Sequence, residues 1–109
     1  MVYSFVFSFD ISPKSEETTP EEVYAAVAAA TDYLDCLYGI SRRCEPGATN
    51  AQTLLDCTDR QGRRCVRCGT LFCLGRERAT FLHRLLNNLE RSLRSEFPNV
   101  YIESNVGNY

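Results

Sequence analysis

Hydrophobic and polar residues alternate strictly over residues 2–11. One side of an extended chain would carry the aromatic row Tyr3, Phe5, Phe7, Phe9 and Ile11. A period of two with this much Phe and Val predicts a β-strand in the middle of a sheet. We interpret the row as core beneath a helix. A base-stacking surface, as in some RNA-binding sheets, is the alternative.

A helical period follows a short polar loop. Residues 19–22, Thr-Pro-Glu-Glu, have the form of a capping box with proline at the first helical position, in which Thr19 and Glu22 cap each other's backbone N–H groups. The apolar positions on one face are Val23, Val27, Ala30, Leu34 and Leu37. The pattern predicts a packing helix that ends near Tyr38, with Gly39 as its left-handed stop.

The middle of the chain has a weaker pattern. Residues 40–52 are typical of a loop, and residues 52–58 favour a short strand. A turn at 59–62, Asp-Arg-Gln-Gly, separates this strand from a β-like segment at 64–74, which we expect Gly69 to interrupt.

A second amphipathic helix is predicted from Glu77 to Phe97, before Pro98. Its apolar arc consists of Leu82, Leu85, Leu86, Leu89 and Leu93, and its opposite side carries Arg76, Arg84, Arg91 and Arg94, with Asn87 and His83 beside them. Residues 100–106 then predict a last strand. The order of elements predicts one α+β domain over residues 1–109. It would be ferredoxin-like (βαββαβ), with an antiparallel sheet, two helices on one face and a cysteine cluster in the middle loops.

Charge changes this picture, because it is divided along the chain. Residues 1–41 contain Lys14, the only lysine, and seven acidic residues, whereas residues 42–94 contain eleven arginines and five acidic residues. Arginine offers a planar fork that fits phosphate, so a basic face for an anionic partner is indicated. The candidate nucleic-acid-binding residues are Arg60, Arg63, Arg64, Arg67, Arg76, Arg84, Arg91 and Arg94. A solvated surface with internal ion pairs is the alternative.

The cysteines suggest a structural metal site. Cys65-Val66-Arg67-Cys68-Gly69 has the form of a zinc knuckle, and Cys57 and Cys73 are the nearest further thiols for tetrahedral Zn²⁺. Cys44 and His83 could substitute for them, and Cys36 is expected to be a buried thiol on the first helix. Four thiolates would leave no open position for catalysis. Free packing cysteines and disulfides remain the alternatives.

Residues 57–63 also match the C-x5-R pattern, in which a thiolate attacks phosphorus and arginine holds the phosphoryl oxygens. Residues 36–42 match it too. A chain with six cysteines and eleven arginines contains such matches by composition alone, so a phosphatase-like enzyme ranks third among the functional hypotheses.

One short segment resembles a linear motif. Leu55-Asp56-Cys57-Thr58-Asp59 is similar to the LxCxE peptide with which several viral oncoproteins bind the retinoblastoma pocket, with Asp in place of Glu. The resemblance implies a binding peptide. Together with the small size and the many cysteines and arginines, it suggests the general character of a viral accessory protein.

The sequence therefore favours a non-catalytic regulatory protein that binds RNA or DNA. A protein–protein adaptor or antagonist that binds an acidic partner is the alternative. Homodimerisation is expected, because a small sheet leaves its edges to be covered. No apolar run is long enough for a transmembrane helix. The apolar start lacks a basic leader and a cleavage site, which predicts an intracellular protein, in the cytoplasm or nucleus, rather than a secreted one.

Overall fold

Six elements follow one another in the computed structural model, which describes residues 3–42 and 52–108, with side chains for 3–37 and 57–107. They are β1 (Tyr3–Pro13), α1 (Pro20–Arg42), β2 (Gln52–Thr58), β3 (Arg64–Leu74), α2 (Arg76–Glu96) and β4 (Val100–Asn108). Cys44, a substitute ligand in the zinc hypothesis, lies outside the described residues. Neither described helix is apolar enough over a sufficient length to cross a membrane.

The four strands form one antiparallel sheet in the order β2-β3-β1-β4. β1 is central, as its pattern predicts, and pairs with β3 on one side and β4 on the other. Both helices pack on the same face, α1 mainly over β3 and β1, and α2 over β4 and β1. The predicted α+β architecture is confirmed, with β2 and β4 as the two edge strands.

The aromatic row of β1 forms the centre of the core. Phe7, Phe9 and Ile11 are fully buried, and the ring of Phe7 packs against Phe72 with 4.9 Å between centroids. The helices cover them with Ala26, Ala30, Leu34, Leu37, Ala79, Leu82, Leu86 and Leu93. The interpretation of the row as core is confirmed for these residues. Tyr3, at the start of the strand, is 36% exposed and lies outside the core cluster.

Two predicted boundaries of regular structure are wrong. α1 begins with the predicted capping box, since the Glu22 N–H donates to Thr19 Oγ1 and the Thr19 N–H donates to Glu22 Oε1, each at 3.2 Å. The helix continues past Gly39 to Arg42, because one glycine costs a helix only about 1 kcal/mol and does not by itself end it. β3 is also unbroken at Gly69, which pairs with Ser8 of β1.

The sheet face away from the helices is covered at one end. Ser8, Asp10 and Ser12 of β1 point to this face, yet each is at most 4% exposed. The covering structure is the tip of the β2–β3 hairpin, residues 59–63, whose arginines reach across β1 to β4. This arrangement brings side chains from the middle of the sequence to the β4 edge.

Candidate nucleic-acid interface

Most of the predicted arginines lie along one edge of the molecule, which we call the α2–β4 edge. α2 turns by about 100° per residue, which places Arg76 and Arg94 on the side that faces β4 and Arg84 and Arg91 on the adjoining outer side. The hairpin tip reaches the same edge from the opposite face of the sheet. The members of the edge are Tyr3, Lys14, Arg60, Arg63, Arg76, His83, Arg84, Arg91, Arg94 and Tyr101.

Charged side chains cap the outer backbone of β4. Arg94 Nε donates to the Ile102 carbonyl at 2.8 Å. Glu90 Oε1 accepts from the Ser104 N–H at 2.5 Å, and Arg60 Nη2 donates to the Ser104 carbonyl at 3.2 Å. In an antiparallel pair, alternate residues direct their N–H and C=O groups away from the neighbour, and these are the groups that another strand would pair with.

Opening this edge should promote self-association. We expect Glu90→Ala/Arg94→Ala to expose the pairing groups of Ile102 and Ser104 and to shift sedimentation towards dimers at about 100 µM, where an unprotected edge can pair. The control is Asn88→Ala/Ser92→Ala, which changes exposed α2 residues without any described contact to β4. If the first variant associates no more than the wild type, the side chains do not protect the edge. If the side chains do protect the edge, the predicted homodimer needs a surface other than this part of β4.

One end of the edge is a cationic groove around Tyr101. The Arg63 guanidinium lies 4.0 Å from the centre of the Tyr101 ring, and Lys14 Nζ lies 5.6 Å from it. Arg94, from the last turn of α2, lines the same groove, which has a volume of about 420 Å³. Tyr101 is 37% exposed, so its ring is accessible beside the three cations.

The other end of the edge is a second groove, between the start of α2 and the sheet. Its volume is about 430 Å³, and its apolar walls include Tyr3, Phe5 and Val106. Arg76 and His83 line it as well, and the Arg76 guanidinium lies 5.3 Å from the centre of the Tyr3 ring. Each end of the edge therefore combines a partly exposed tyrosine with a cation beside the ring.

Arg84 and Arg91 lie between the two grooves on the outer side of α2. Both are exposed, and neither has an ion pair or hydrogen bond among the described residues. They are seven residues apart, which places them about 10 Å apart along the helix axis. They are the described arginines of the edge whose charge is most available to a ligand.

Arg63 is held in place by acidic residues of the same molecule. Its Nε donates to Asp59 Oδ2 at 2.8 Å, and its Nη2 donates to Glu103 Oε1 at 3.4 Å. Burial of Asp59 pushes its pKa upward, but hydrogen bonds from the Arg63 side chain and from the backbone N–H groups of Arg63 and Gln61 outweigh burial, so the pKa is lowered. Arg63 thus fixes the hairpin tip while facing the groove at Tyr101.

Two of the predicted arginines do not join the edge. Arg67 lies on the covered sheet face, where Nε and Nη2 donate to the two carboxylate oxygens of Asp10 at 2.6 and 3.0 Å. These hydrogen bonds raise the pKa of Arg67 further above its ordinary value. Arg64 begins β3 opposite Thr58. Arg67 therefore makes an internal ion pair, which is the alternative interpretation of the arginines, and these donors are not directed to a phosphate.

The four cysteines of the zinc hypothesis do not converge. Cys65 and Cys68 are in one regular strand, where residues three apart point to opposite faces; Cys68 is in the core, and Cys65 is on the covered face. Cys73 lies eight residues from Cys65, about 26 Å along β3. Cys57 is opposite Cys65. Among the described residues, no group of three or more His, Cys, Asp or Glu could hold a metal ion. Cys36, predicted to be buried, is exposed.

Two of the remaining motifs lie in the hairpin, whereas the second C-x5-R match, residues 36–42, lies within α1 and forms no loop. A C-x5-R site needs its loop between a strand and a helix N-terminus, whereas residues 57–63 end β2 and turn directly into β3. The LxCxE-like segment ends in Cys57 and Thr58, which pair with β3, and in Asp59, which is 8% exposed. The segment is therefore built into the hairpin rather than presented as a free peptide.

Comparison with known proteins supports the fold alone. The chain is similar to a de novo designed protein with a ferredoxin fold, LFR1 1, at 20% identity and a TM-score of 0.52, over 95% of this chain and 84% of that chain. The chain has a ferredoxin-like fold. It is also similar, at 16% identity and a TM-score of 0.53, to a candidate aminohydrolase from methicillin-resistant Staphylococcus aureus, over 98% of this chain but only 29% of that protein. No family model and no curated protein matches the chain.

Four members of the edge were absent from the predicted nucleic-acid-binding residues: Lys14, Tyr3, Tyr101 and His83, of which only His83 was noted beside the arginines of α2. Lys14 lies in a polar loop and the tyrosines in strand patterns, so neither their charge nor their period separates them from ordinary surface residues. Tyr101 is recognised as a member of the edge only from the pairing of β4 with β1, in which it lies opposite Ser12, two residues before Lys14.

Proposed function

We propose that the protein binds single-stranded nucleic acid along the α2–β4 edge, without catalysis. The observation that carries the proposal is the presence of a partly exposed tyrosine beside a cation at each end of one arginine-lined helix. Single-stranded ligands are bound by positive grooves with aromatic rings on which bases stack, and this edge supplies both components.

The balance of charge along the edge supports an anionic ligand. The seven cations of the edge are Lys14, Arg60, Arg63, Arg76, Arg84, Arg91 and Arg94. The carboxylates that contact them are Asp59, Glu90 and Glu103. Arg84 and Arg91 of α2 form no ion pair with these carboxylates, so their charges contribute most to the net positive charge of the edge. Nine of the fourteen acidic residues lie outside residues 42–94, which contain every arginine, so the near-neutral total charge of the protein hides a basic stretch.

The dimensions of the edge support a strand of several nucleotides. Tyr101 pairs with Ser12, nine residues along β1 from Tyr3, so the two tyrosines are about 30 Å apart along the sheet. Tyr3 is on the helix face and Tyr101 on the opposite face, so a bound strand would pass around the β4 edge between them. Arg76 and Arg94 are about 27 Å apart along α2. Unstacked bases can stack on tyrosine rings or on guanidinium planes, and the Arg63 guanidinium already lies over Tyr101. A duplex would keep its bases away from both rings, which favours a single-stranded ligand.

Removing two arginines should weaken binding and make the affinity less dependent on salt concentration. We expect Arg84→Ala/Arg91→Ala to lower the affinity for a fluorescent single-stranded oligonucleotide about tenfold at about 50 mM salt. The slope of log K against log [salt] should become shallower by about 1.4, since each phosphate contact to a single strand contributes about 0.7. Fluorescence anisotropy with RNA and DNA, each single- and double-stranded, between about 50 and 200 mM salt measures both quantities.

The matched control carries the same change in net charge at a different place. Ala25→Glu/Ala28→Glu adds two negative charges to exposed positions of α1, and its affinity and salt slope should stay close to those of the wild type. If both double variants lose affinity equally, binding follows total charge and the edge is not the site. If the wild type does not bind nucleic acid but forms a stoichiometric complex with an acidic protein, the adaptor hypothesis replaces this one.

A further inference from the structure

We infer that the groove beside Tyr101 binds a terminal phosphate, the phosphomonoester at one end of a nucleic-acid strand. The inference rests on the proposed function and assigns the end of the strand to a place in the fold. The groove is lined by three cationic side chains from separate parts of the chain, Lys14, Arg63 and Arg94, and by one carboxylate, Glu103, which accepts a hydrogen bond from Arg63.

The donors needed for a phosphate are present. The described contacts of Arg63 use Nε and Nη2, two of its five N–H donors. Arg94 donates Nε to the Ile102 carbonyl, while its Nη2 is 3.7 Å from Glu90, which is longer than a hydrogen bond. Lys14 Nζ has the Tyr101 ring as its described contact. Each of the three cations therefore has N–H groups left for phosphate oxygens.

The arginines are also fixed before a ligand arrives. Asp59 and Glu103 hold the Arg63 side chain, and the carbonyl of Ile102 holds that of Arg94. Side chains that are already ordered lose less conformational entropy on binding. A phosphomonoester carries nearly two negative charges near neutral pH, compared with one on a phosphodiester, so it gains more from three converging cations.

The surroundings of the groove favour an end over the middle of a strand. Beyond Lys14 the chain turns into the loop with Glu16 and Glu17, both exposed. Asn99 anchors this loop, because its carbonyl accepts from the Lys14 N–H at 3.1 Å and from Thr18 Oγ1 at 2.8 Å. Its side-chain amide donates to Glu22 Oε2 at 2.8 Å. α2 finishes at Glu96, also exposed. Carboxylates thus lie beyond the groove, where a continuing phosphate chain would be repelled.

The test compares oligonucleotides that differ only at their ends. Otherwise identical single strands with a 5′-phosphate, a 3′-phosphate or hydroxyl groups at both ends are titrated by anisotropy. We expect one phosphorylated end to tighten binding about fivefold relative to the hydroxyl form, because its additional charge is bound by several cations. Which end does so gives the polarity of the strand on the edge.

Lys14→Gln tests the groove directly. Among the described residues Lys14 has no acidic partner, so the substitution removes a cation without leaving a carboxylate unpaired. We expect it to abolish the preference for the phosphorylated end, because the affinity for the phosphorylated strand should fall more than the affinity for the hydroxyl-ended strand. Ala25→Glu changes net charge by the same amount on α1 and should keep the preference. Equal affinity of wild type for all three strands overturns the inference, as does a preference that Lys14→Gln retains.

A second measurement separates this inference from the proposed function. Inorganic phosphate and a mononucleoside monophosphate are titrated into wild-type protein, and chemical shifts of Lys14, Tyr101 and Arg94 are followed by NMR. If no oligonucleotide binds but these resonances shift with inorganic phosphate or the mononucleotide, the groove holds phosphate while the proposed strand binding fails. A response to the mononucleotide alone shows that the base contributes as well. Shifts elsewhere, or no shifts at these residues, overturn the inference.

Discussion

Arg67→Met should lower the free energy of unfolding by about 3 kcal/mol, at the low end of the cost of removing one partner from a buried ion pair. The Asp10 side chain is only 2% exposed, and Arg67 donates to both of its carboxylate oxygens. Without Arg67, the described side-chain partner left to Asp10 is Asn105, whose Nδ2 donates at 3.2 Å. The Arg67 side chain is itself 36% exposed, so water can reach part of the site and limits the loss.

Urea unfolding followed by circular dichroism measures this effect, and a second substitution tests its cause. Adding Asp10→Asn to Arg67→Met should recover part of the lost stability, because the buried negative charge is then absent. Arg84→Met, at an exposed position without a described partner, should change stability by at most about 0.5 kcal/mol. If Arg67→Met is as stable as Arg84→Met, the ion pair contributes nothing. If the folded Arg67 variant loses oligonucleotide affinity as Arg84→Ala/Arg91→Ala does, Arg67 belongs to the binding surface after all.

Tyr3→Ala/Tyr101→Ala should reduce affinity for single-stranded nucleic acid about 100-fold. Stacking of one base on an aromatic ring contributes about 1–3 kcal/mol, and the two rings are far enough apart to act on different bases. Neither tyrosine belongs to the hydrophobic core cluster, so the variant should remain folded. Affinity for duplex of the same length should change much less, because paired bases cannot reach the rings. The comparison of single strand with duplex by anisotropy therefore measures stacking separately from charge.

Tyr24 provides the control for the loss of an exposed aromatic residue. It is 71% exposed on α1, away from the α2–β4 edge, and Tyr24→Ala should bind like the wild type. Equal losses for single strand and duplex in Tyr3→Ala/Tyr101→Ala would contradict stacking, since the rings would then serve only to support the cations beside them.

The predicted elements depended on local patterns, and the patterns were strongest where one face is buried. The alternation from Phe5 to Ile11 and the leucine arc of α2 identified the central strand and a core helix, because burial selects the same face at every turn or pleat. The end of α1 was predicted too early because a glycine permits a helix stop without requiring one. The predicted interruption of β3 at Gly69 was wrong for a related reason, because pairing with β1 and β2 keeps the strand regular through that residue.

The candidate site was harder to predict, because neither charge nor cysteine spacing determines the direction in which a side chain points. Cys65 and Cys68 have the spacing of a zinc knuckle, but a regular strand turns the two thiols to opposite faces. Arg67 and Arg63 belong to the same basic stretch, yet one faces Asp10 and the other faces Tyr101. The arginines of α2 were grouped correctly, since a helix has a fixed period and their grouping needs no tertiary information.

By itself the sequence determined the strands, the helices, the buried faces and the arginine side of α2, since each follows from a period within one element. Only the tertiary structure decided which arginines are available to a ligand. The order β2-β3-β1-β4 pairs β3 with β1, so that Asp10 neutralises Arg67 opposite it. It also lets the hairpin tip carry Arg60 and Arg63 across β1 to β4. The partners in these contacts are between 40 and 57 residues apart in the chain, and pairing over that distance depends on how the strands are arranged rather than on any local pattern.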